Sequence, residues 1–159
     1  MKSDGCRSLV DEKFCFIWRD TVMPIQWREE MCVGNLEIDN YHKYLICLIN
    51  TVEAAVNCKL GKAVLLSHVN ELLNYARDHF AKEEAMQSKH NYEHCLEHKK
   101  AHEALIHRLN EIILNLENQK EAKIIKNTED GLFKVLHDWL INHILNEDMK
   151  MKVFLKSEH

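Results

Sequence analysis

The chain has 159 residues, enough for one domain with a substantial core, and a net charge of −4. One proline and four glycines favour long helices over a turn-rich β fold. Acidic and basic residues are interspersed, no apolar run reaches about 18 residues, and the N-terminus lacks the apolar core of a signal peptide. We therefore expect a cytoplasmic protein with no nucleic-acid partner and no membrane insertion.

The N-terminal region shows no sustained periodicity through residue 37, so we interpret residues 1–37 as an arm. Met23 is an alternative start, which makes residues 1–22 an N-terminal extension and residues 23–159 the domain. Three amphipathic helices are predicted next, at about 38–60, 64–90 and 92–116.

The fourth helix is expected after a polar, lysine-rich connection at residues 118–127. Thr128, followed by two acidic residues, is a suitable N-cap, and the helix is predicted to end at about Leu145. A short helical piece follows it. Four helices with short joints predict an all-α, antiparallel up-and-down four-helix bundle with an N-terminal arm and a short C-terminal helix.

The six cysteines form no CxxC pair, which favours reduced thiols over a disulfide framework. Most of them lie in helical patterns, where free thiols pack as small apolar groups. The set comprises Cys6, Cys15, Cys32, Cys47, Cys58 and Cys95.

The outlier in the composition is histidine, with eleven residues. In an antiparallel hairpin, residues equidistant from the turn lie side by side. The turn near Gly61 pairs two histidines in this way, the turn at residues 90–91 pairs a glutamate with a histidine, and the 118–127 connection pairs two more histidines. The side chains predicted to share one layer are His42 and His79, Glu83 and His98, and His102 and His143.

Two pairs in this layer have i,i+4 spacing, His79 with Glu83 and His98 with His102, so each pair lies on one helix face. Bundle cores build metal sites from such inward-facing residues. Donors rich in imidazole and free of thiolate suit iron, zinc, copper or nickel rather than magnesium or calcium.

Other residues compete for these roles. His90 and His94 continue the i+4 series but lie at the turn, and Glu84 is offset by five residues from His79. Four more histidines are interpreted as surface or core-edge residues: His68, His107, His137 and His159.

On the fourth helix the spacing leaves two candidates open. Glu147 follows His143 at i+4, which regular helix geometry prefers, whereas Asp148 follows at i+5. Asp148 would point inward only if the helix loosened there, by a π-type turn or by ending.

The complete pattern H…HxxxE…HxxxH…HxxxxD resembles the hemerythrin family, the bacterial hemerythrins in particular. The similarity covers about residues 25–155, in the segments "PIQW", "VGNLEIDNYHKYLICLIN", "HFAKEEAM", "YEHCLEHKKAHEAL" and "WLINHILNEDMKM". Tyr41 stands where the family more often has glutamine, and Ile46 where it often has phenylalanine.

The resemblance implies two iron ions per chain with an oxo or hydroxo bridge. It favours Asp148 over Glu147 and makes Glu83 and Asp148 the carboxylates that bridge the two irons. One iron would be held by three histidines and the other by two, leaving a vacancy on the second. The implied ligands are His98, His102 and His143 for the first iron, and His42 and His79 for the second.

The resemblance implies reversible binding of O2, for storage or for delivery to an oxygen-using enzyme, rather than catalysis. The alternatives are an oxygen or redox sensing module, a peroxide- or NO-consuming di-iron protein, and a bundle that binds zinc or no metal. A monomer is favoured. Candidates for an apolar pocket at the vacancy are Leu45, Ile46, Leu105 and Trp139.

Overall fold

The structure is a computed structural model that describes residues 24–118, 136–137 and 139–155. These residues contain helices and no strand, so the prediction of an all-α four-helix bundle is confirmed. The predicted extension at residues 1–22 and the predicted N-cap Thr128 lie outside the described residues.

The first three helices follow one another through tight turns. They are α1 (Leu36–Asn57), α2 (Lys62–Lys89) and α3 (Cys95–Asn118). The two turns contain Gly61 with φ +90° and Asn91 with φ +51°, the left-handed conformation that glycine and asparagine tolerate best. Both turn positions predicted from the sequence are confirmed.

The fourth helix, α4, comprises residues 139–143, a π-helical turn at Ile144–Asp148, and the terminal piece Met149–Leu155. The predicted short C-terminal helix is therefore present. The predicted end of the fourth helix at Leu145 is wrong, because the π turn keeps the backbone helical through to Leu155.

The segment before α1 is fastened to that helix by hydrogen bonds. Ile25 donates its backbone N–H to Asn50 Oδ1 at 2.9 Å, and Asn50 Nδ2 donates to the Ile25 carbonyl at 2.8 Å. Val33 donates its backbone N–H to Asp39 Oδ1 at 2.8 Å. Asn35 caps α1 by accepting from the backbone of its first turn. The described part of the predicted arm therefore packs onto the bundle.

The hydrophobic core occupies one side of the histidine layer. Its buried apolar residues largely follow His42 in α1 and His102 in α3, and precede His79 in α2 and His143 in α4. Because neighbouring helices are antiparallel, these stretches lie at one end of the bundle. None of the helices in the described ranges combines the length and apolar composition needed to cross a bilayer.

Candidate metal centre

Seven buried ionisable side chains from four helices converge in the bundle. Each is at most 6% exposed. They are His42 from α1, His79 and Glu83 from α2, His98 and His102 from α3, and His143 and Asp148 from α4.

One half of the cluster contains three histidines. His98 Nε2 and His102 Nε2 lie 3.0 Å apart, and His143 Nε2 lies 3.1 Å from Asp148 Oδ1. These residues and Glu83 offer donor atoms that all lie within 4.8 Å of one another. Two nitrogens at right angles on one octahedral ion, with bonds of about 2.1 Å, would be about 3.0 Å apart. The spacing of His98 and His102 therefore fits two ligands of the same ion.

The other half contains two histidines. Donor atoms of His42, His79 and Glu83 lie within 4.8 Å of one another. His79 Nε2 lies 3.5 Å from Glu83 Oε2, and His42 Nε2 lies 3.0 Å from Asp148 Oδ2.

Both carboxylates touch both halves. Asp148 presents Oδ1 to His143 at 3.1 Å and Oδ2 to His42 at 3.0 Å. Glu83 Oε2 lies 3.3 Å from His102 Nε2 and 3.5 Å from His79 Nε2. Each of the two carboxylates therefore lies between the two groups of histidines.

The π-helical turn decides which acidic residue of α4 enters the cluster. Asp148, at i+5 from His143, is fully buried, whereas the Glu147 side chain is 35% exposed and pairs with Lys150 at 2.8 Å. A π turn contains more residues than an α turn and therefore brings an i+5 residue toward residue i. Regular spacing favoured Glu147, and the structure places Asp148 inside instead.

The cluster concentrates buried polar atoms that lack hydrogen-bond partners. Among the described residues, fifteen buried side-chain nitrogens and oxygens have none, and ten of these belong to the seven residues of the cluster. Both carboxylate oxygens of Glu83 and of Asp148 are among them. Buried polar groups are otherwise almost always satisfied. Imidazole nitrogens and carboxylate oxygens left in this way fit the coordination of transition-metal ions.

The surroundings move the pKa values of these groups in opposite directions. Burial lowers the pKa of His79 to about 4. Burial also opposes protonation of His98, but the contacts with Asp148 and Glu83 outweigh it and raise that pKa to about 9. Burial and the charge of Asp148 would raise the pKa of Glu83, yet its contacts with the histidines lower it to about 2. Burial would also raise the pKa of Asp148, but its contacts with the histidines, His143 first, lower it well below its ordinary value. Both carboxylates are therefore ionised near neutral pH, as metal ligands must be.

The competing residues lie outside the cluster. Neither His90 nor His94 offers a donor atom to it, and the His94 side chain is 51% exposed. His68 and His107 carry partly or largely exposed side chains, and His137 is half-buried, whereas His159 lies outside the described residues.

Two features around the cluster were not identified from the sequence. Glu84 Oε1 lies 3.1 Å from His102 Nδ1, the ring nitrogen that faces away from the cluster. Tyr41 stacks on His79 with ring centroids 5.5 Å apart. The offset of five residues from His79 separates Glu84 from the histidine layer in the helical spacing, but that spacing does not show which side chain of the next helix Glu84 contacts.

Comparisons with known proteins agree with this geometry. The family model of the hemerythrin HHE cation-binding domain matches residues 34–155. A hemerythrin-like protein of Naegleria gruberi is 30% identical over 129 residues, which cover 81% of this chain and 92% of that protein. A bacteriohemerythrin of Pseudomonas aeruginosa (strain LESB58) is 32% identical over 122 residues, covering 77% of this chain and 75% of that protein.

A third relative is named as a myohemerythrin. The myohemerythrin of Theromyzon tessulatum is 29% identical over 129 residues, covering 81% of this chain and 92% of that protein. Because the family model covers most of the chain and the buried His, Glu and Asp residues form one cluster, the chain belongs to the hemerythrin family.

Proposed function

We propose that the cluster holds two iron ions. His98, His102 and His143 would hold one ion, His42 and His79 the other, and the two carboxylates would bridge them. The buried donor atoms without hydrogen-bond partners carry this proposal, because two ions would satisfy them. The contacts of Glu83 and Asp148 with both groups of histidines support a shared rather than a single-ion role.

We infer that the function is reversible O2 binding, for storage or for delivery to an oxygen-using enzyme. A pair of bound ferrous ions would supply two electrons to O2 and recover them when it leaves. Five imidazole nitrogens and four carboxylate oxygens, together with an oxo or hydroxo bridge, fall short of the roughly twelve positions of two octahedral ions. The remaining position would be on the ion held by His42 and His79, because those residues supply one histidine fewer.

The apolar core next to the layer supports reversibility. Leu45, Ile46 and Leu105 are buried in it, and Trp139 packs against it. Apolar walls slow the entry of water and protons, and with it the irreversible oxidation of the metal. That these four side chains line the vacancy itself is part of the proposal.

The relatives' names support a binding protein rather than an enzyme, and the free thiols support a cytoplasmic location. The relatives are named as hemerythrins, which favours a binding protein over an enzyme. The described cysteines, Cys32, Cys47, Cys58 and Cys95, are free thiols, which suits a reducing cytoplasm.

The test is the visible spectrum of the reduced protein before and after exposure to air, with an iron count. We expect about two irons per chain and a colour that develops in air and bleaches under vacuum. Glu83→Ala should lose the iron pair, whereas Glu97→Ala, at a side chain 76% exposed, should behave as wild type. Colour that does not bleach would rule out a carrier. Steady consumption of peroxide or NO would make the protein an enzyme.

A further inference from the structure

A carboxylate contacts the His102 ring on the edge that faces away from the cluster. Its Nε2 faces the cluster, 3.0 Å from His98 Nε2 and 3.3 Å from Glu83 Oε2. Its Nδ1, on the other edge of the ring, lies 3.1 Å from Glu84 Oε1. Because Glu83 and Glu84 are adjacent on α2, their side chains diverge by about 100° around the helix axis, one toward the interior and one toward α3.

The same face of α2 also fixes the plane of this ring. Phe80 precedes Glu84 by four residues and stacks on His102 with ring centroids 3.9 Å apart and planes 9° apart. One helix therefore contacts both the face and the outer edge of the imidazole, which determines where Nε2 points.

Glu84 is itself held by a lysine of α3. Lys99 Nζ lies 3.2 Å from Glu84 Oε2, and Lys99 precedes His102 by three residues on the same helix face. The result is a row of cation, carboxylate and imidazole that runs from the surface to the cluster. The carboxylate is partly exposed, and it lines a groove of about 430 Å³ together with Glu103.

This arrangement distinguishes His102 from other ligand candidates. The Nδ1 atoms of His42, His79 and His98 are buried and have no hydrogen-bond partner among the described residues. An anionic partner on Nδ1–H makes the opposite nitrogen a stronger donor to a metal ion and fixes its tautomer.

We propose that Glu84 is a positioning residue that fixes the Nδ1–H tautomer of His102 and lowers the reduction potential of the ion on the three-histidine side. The negative charge of Glu84 favours the more positive oxidation state, and the positive charge of Lys99 reduces that effect. The inference rests on the proposed function, since the ion it concerns is one of the proposed irons.

The main experiment compares the reduction potential and the iron affinity of four proteins: wild type, Glu84→Gln, Lys99→Met and Glu103→Gln. Glu84→Gln should raise the potential by about 59 mV, which is a tenfold change in the one-electron equilibrium. Lys99→Met should lower the potential, because the carboxylate then keeps its full effect. Glu103→Gln removes the same charge from the same groove at a residue that makes no hydrogen bond or ion pair with the histidines of the cluster, and it should shift the potential clearly less than Glu84→Gln.

Iron affinity gives a second measurement. In competition with a chelator, Glu84→Ala should bind iron about 10- to 100-fold more weakly than wild type, as is typical for the loss of a partner behind a metal-ligating histidine. Glu103→Ala should bind as wild type.

Equal shifts for Glu84→Gln and Glu103→Gln, or shifts of the same sign for Glu84→Gln and Lys99→Met, would overturn the proposal.

An iron count well below two in the wild type would instead refute the proposed function. In that case the tautomer of His102 is measured in the chain loaded with zinc alone, from the solvent exchange of its Nδ1–H proton. This proton should be protected from exchange in the wild type, and Glu84→Ala should remove the protection. Equal exchange in both would contradict the proposal.

Discussion

Asp148 Oδ1 lies 3.1 Å from His143 Nε2, although the two residues are five positions apart on one helix. In a regular helix, residues at i and i+5 point about 140° apart and do not meet. The π-helical turn at Ile144–Asp148 closes this angle. The local backbone is therefore part of the site, as much as the side chains are.

The first prediction concerns the choice between two adjacent acids. Asp148→Ala should lose most of the bound iron, because it removes donor atoms that face both groups of histidines. Glu147→Ala should keep about two irons, since that side chain is partly exposed and pairs with Lys150 at the surface. An iron count on both purified variants checks this. Full iron in Asp148→Ala would contradict the assignment.

A second prediction follows from the opposed pKa values of His79 and His98. Their ordinary pKa is 6.5, whereas in the folded metal-free chain they lie at about 4 and about 9. Between pH 6.5 and about 4, His79 is protonated in the unfolded chain but not in the folded chain. The free energy of unfolding therefore falls on acidification. Above pH 6.5 the unfolded chain loses the proton that folded His98 retains, so stability falls as the pH rises toward 9.

The thermal midpoint of the metal-free chain should therefore be highest near pH 6.5. The lowered pKa of Glu83, about 2 against an ordinary 4.5, adds to the loss below pH 4.5. His98→Asn should make the decline on the alkaline side shallower, and the raised pKa of His42, which is also held by Asp148, should account for the decline that remains. A midpoint that climbs steadily from pH 6.5 to 9 in the wild type would be incompatible with the contacts described for His98.

Phe80 is the subject of the third prediction. It is 3% exposed and stacks on His102, so Phe80→Ala leaves a cavity beside the ring. We expect a loss of about 3–5 kcal/mol in the free energy of unfolding, measured with urea on the metal-free chain. Leu114→Ala, at a residue 56% exposed, should change it by no more than about 0.5 kcal/mol. Similar losses in both would mean that Phe80 is not packed as described.

The fourth prediction tests the attachment of the segment before α1. Asp39 is buried and accepts the backbone N–H of Val33 at 2.8 Å. Asp39→Ala leaves that donor buried without a partner and should cost about 1–3 kcal/mol. Asp39→Asn keeps an acceptor oxygen and should cost less.

Urea unfolding of the metal-free chain measures both Asp39 variants. Glu37→Ala serves as the control, because its side chain is 70% exposed and its ion pair with Lys82 spans 3.8 Å. The attachment would have to be reconsidered if Asp39→Ala were no less stable than Glu37→Ala.

Much of the cluster was predictable because, in two antiparallel helices, residues equally far from the turn lie at the same position along the bundle axis. His42 and His79 are equidistant from residues 60–61, and Gly61 does stand in the turn between their helices. The same reasoning placed Glu83 beside His98 across the turn that contains Asn91, and their donor atoms lie 3.8 Å apart. Apolar periodicity fixes helix faces, and the turn residues fix the register.

The rest of the site depends on local backbone geometry and helix packing, which the spacing of apolar residues does not predict. A π turn arises from a change in the hydrogen-bond ladder over a few residues, and nothing in the spacing of α4 distinguishes it from a regular helix. Only the family resemblance favoured Asp148. The contact of Glu84 with His102 likewise depends on how α2 and α3 pack, although Lys99 and His102 at i,i+3 gave a signal for a charged partner nearby.

His42 and Asp148 belong to the first and last helices described, yet their side chains meet at 3.0 Å. Ions held jointly by both residues would act as a cross-link between distant parts of the chain. Cross-links over about 100 residues restrict the unfolded ensemble by about 4.7 kcal/mol in chain-entropy models. Loading the centre would therefore couple release of the metal to unfolding of the whole bundle.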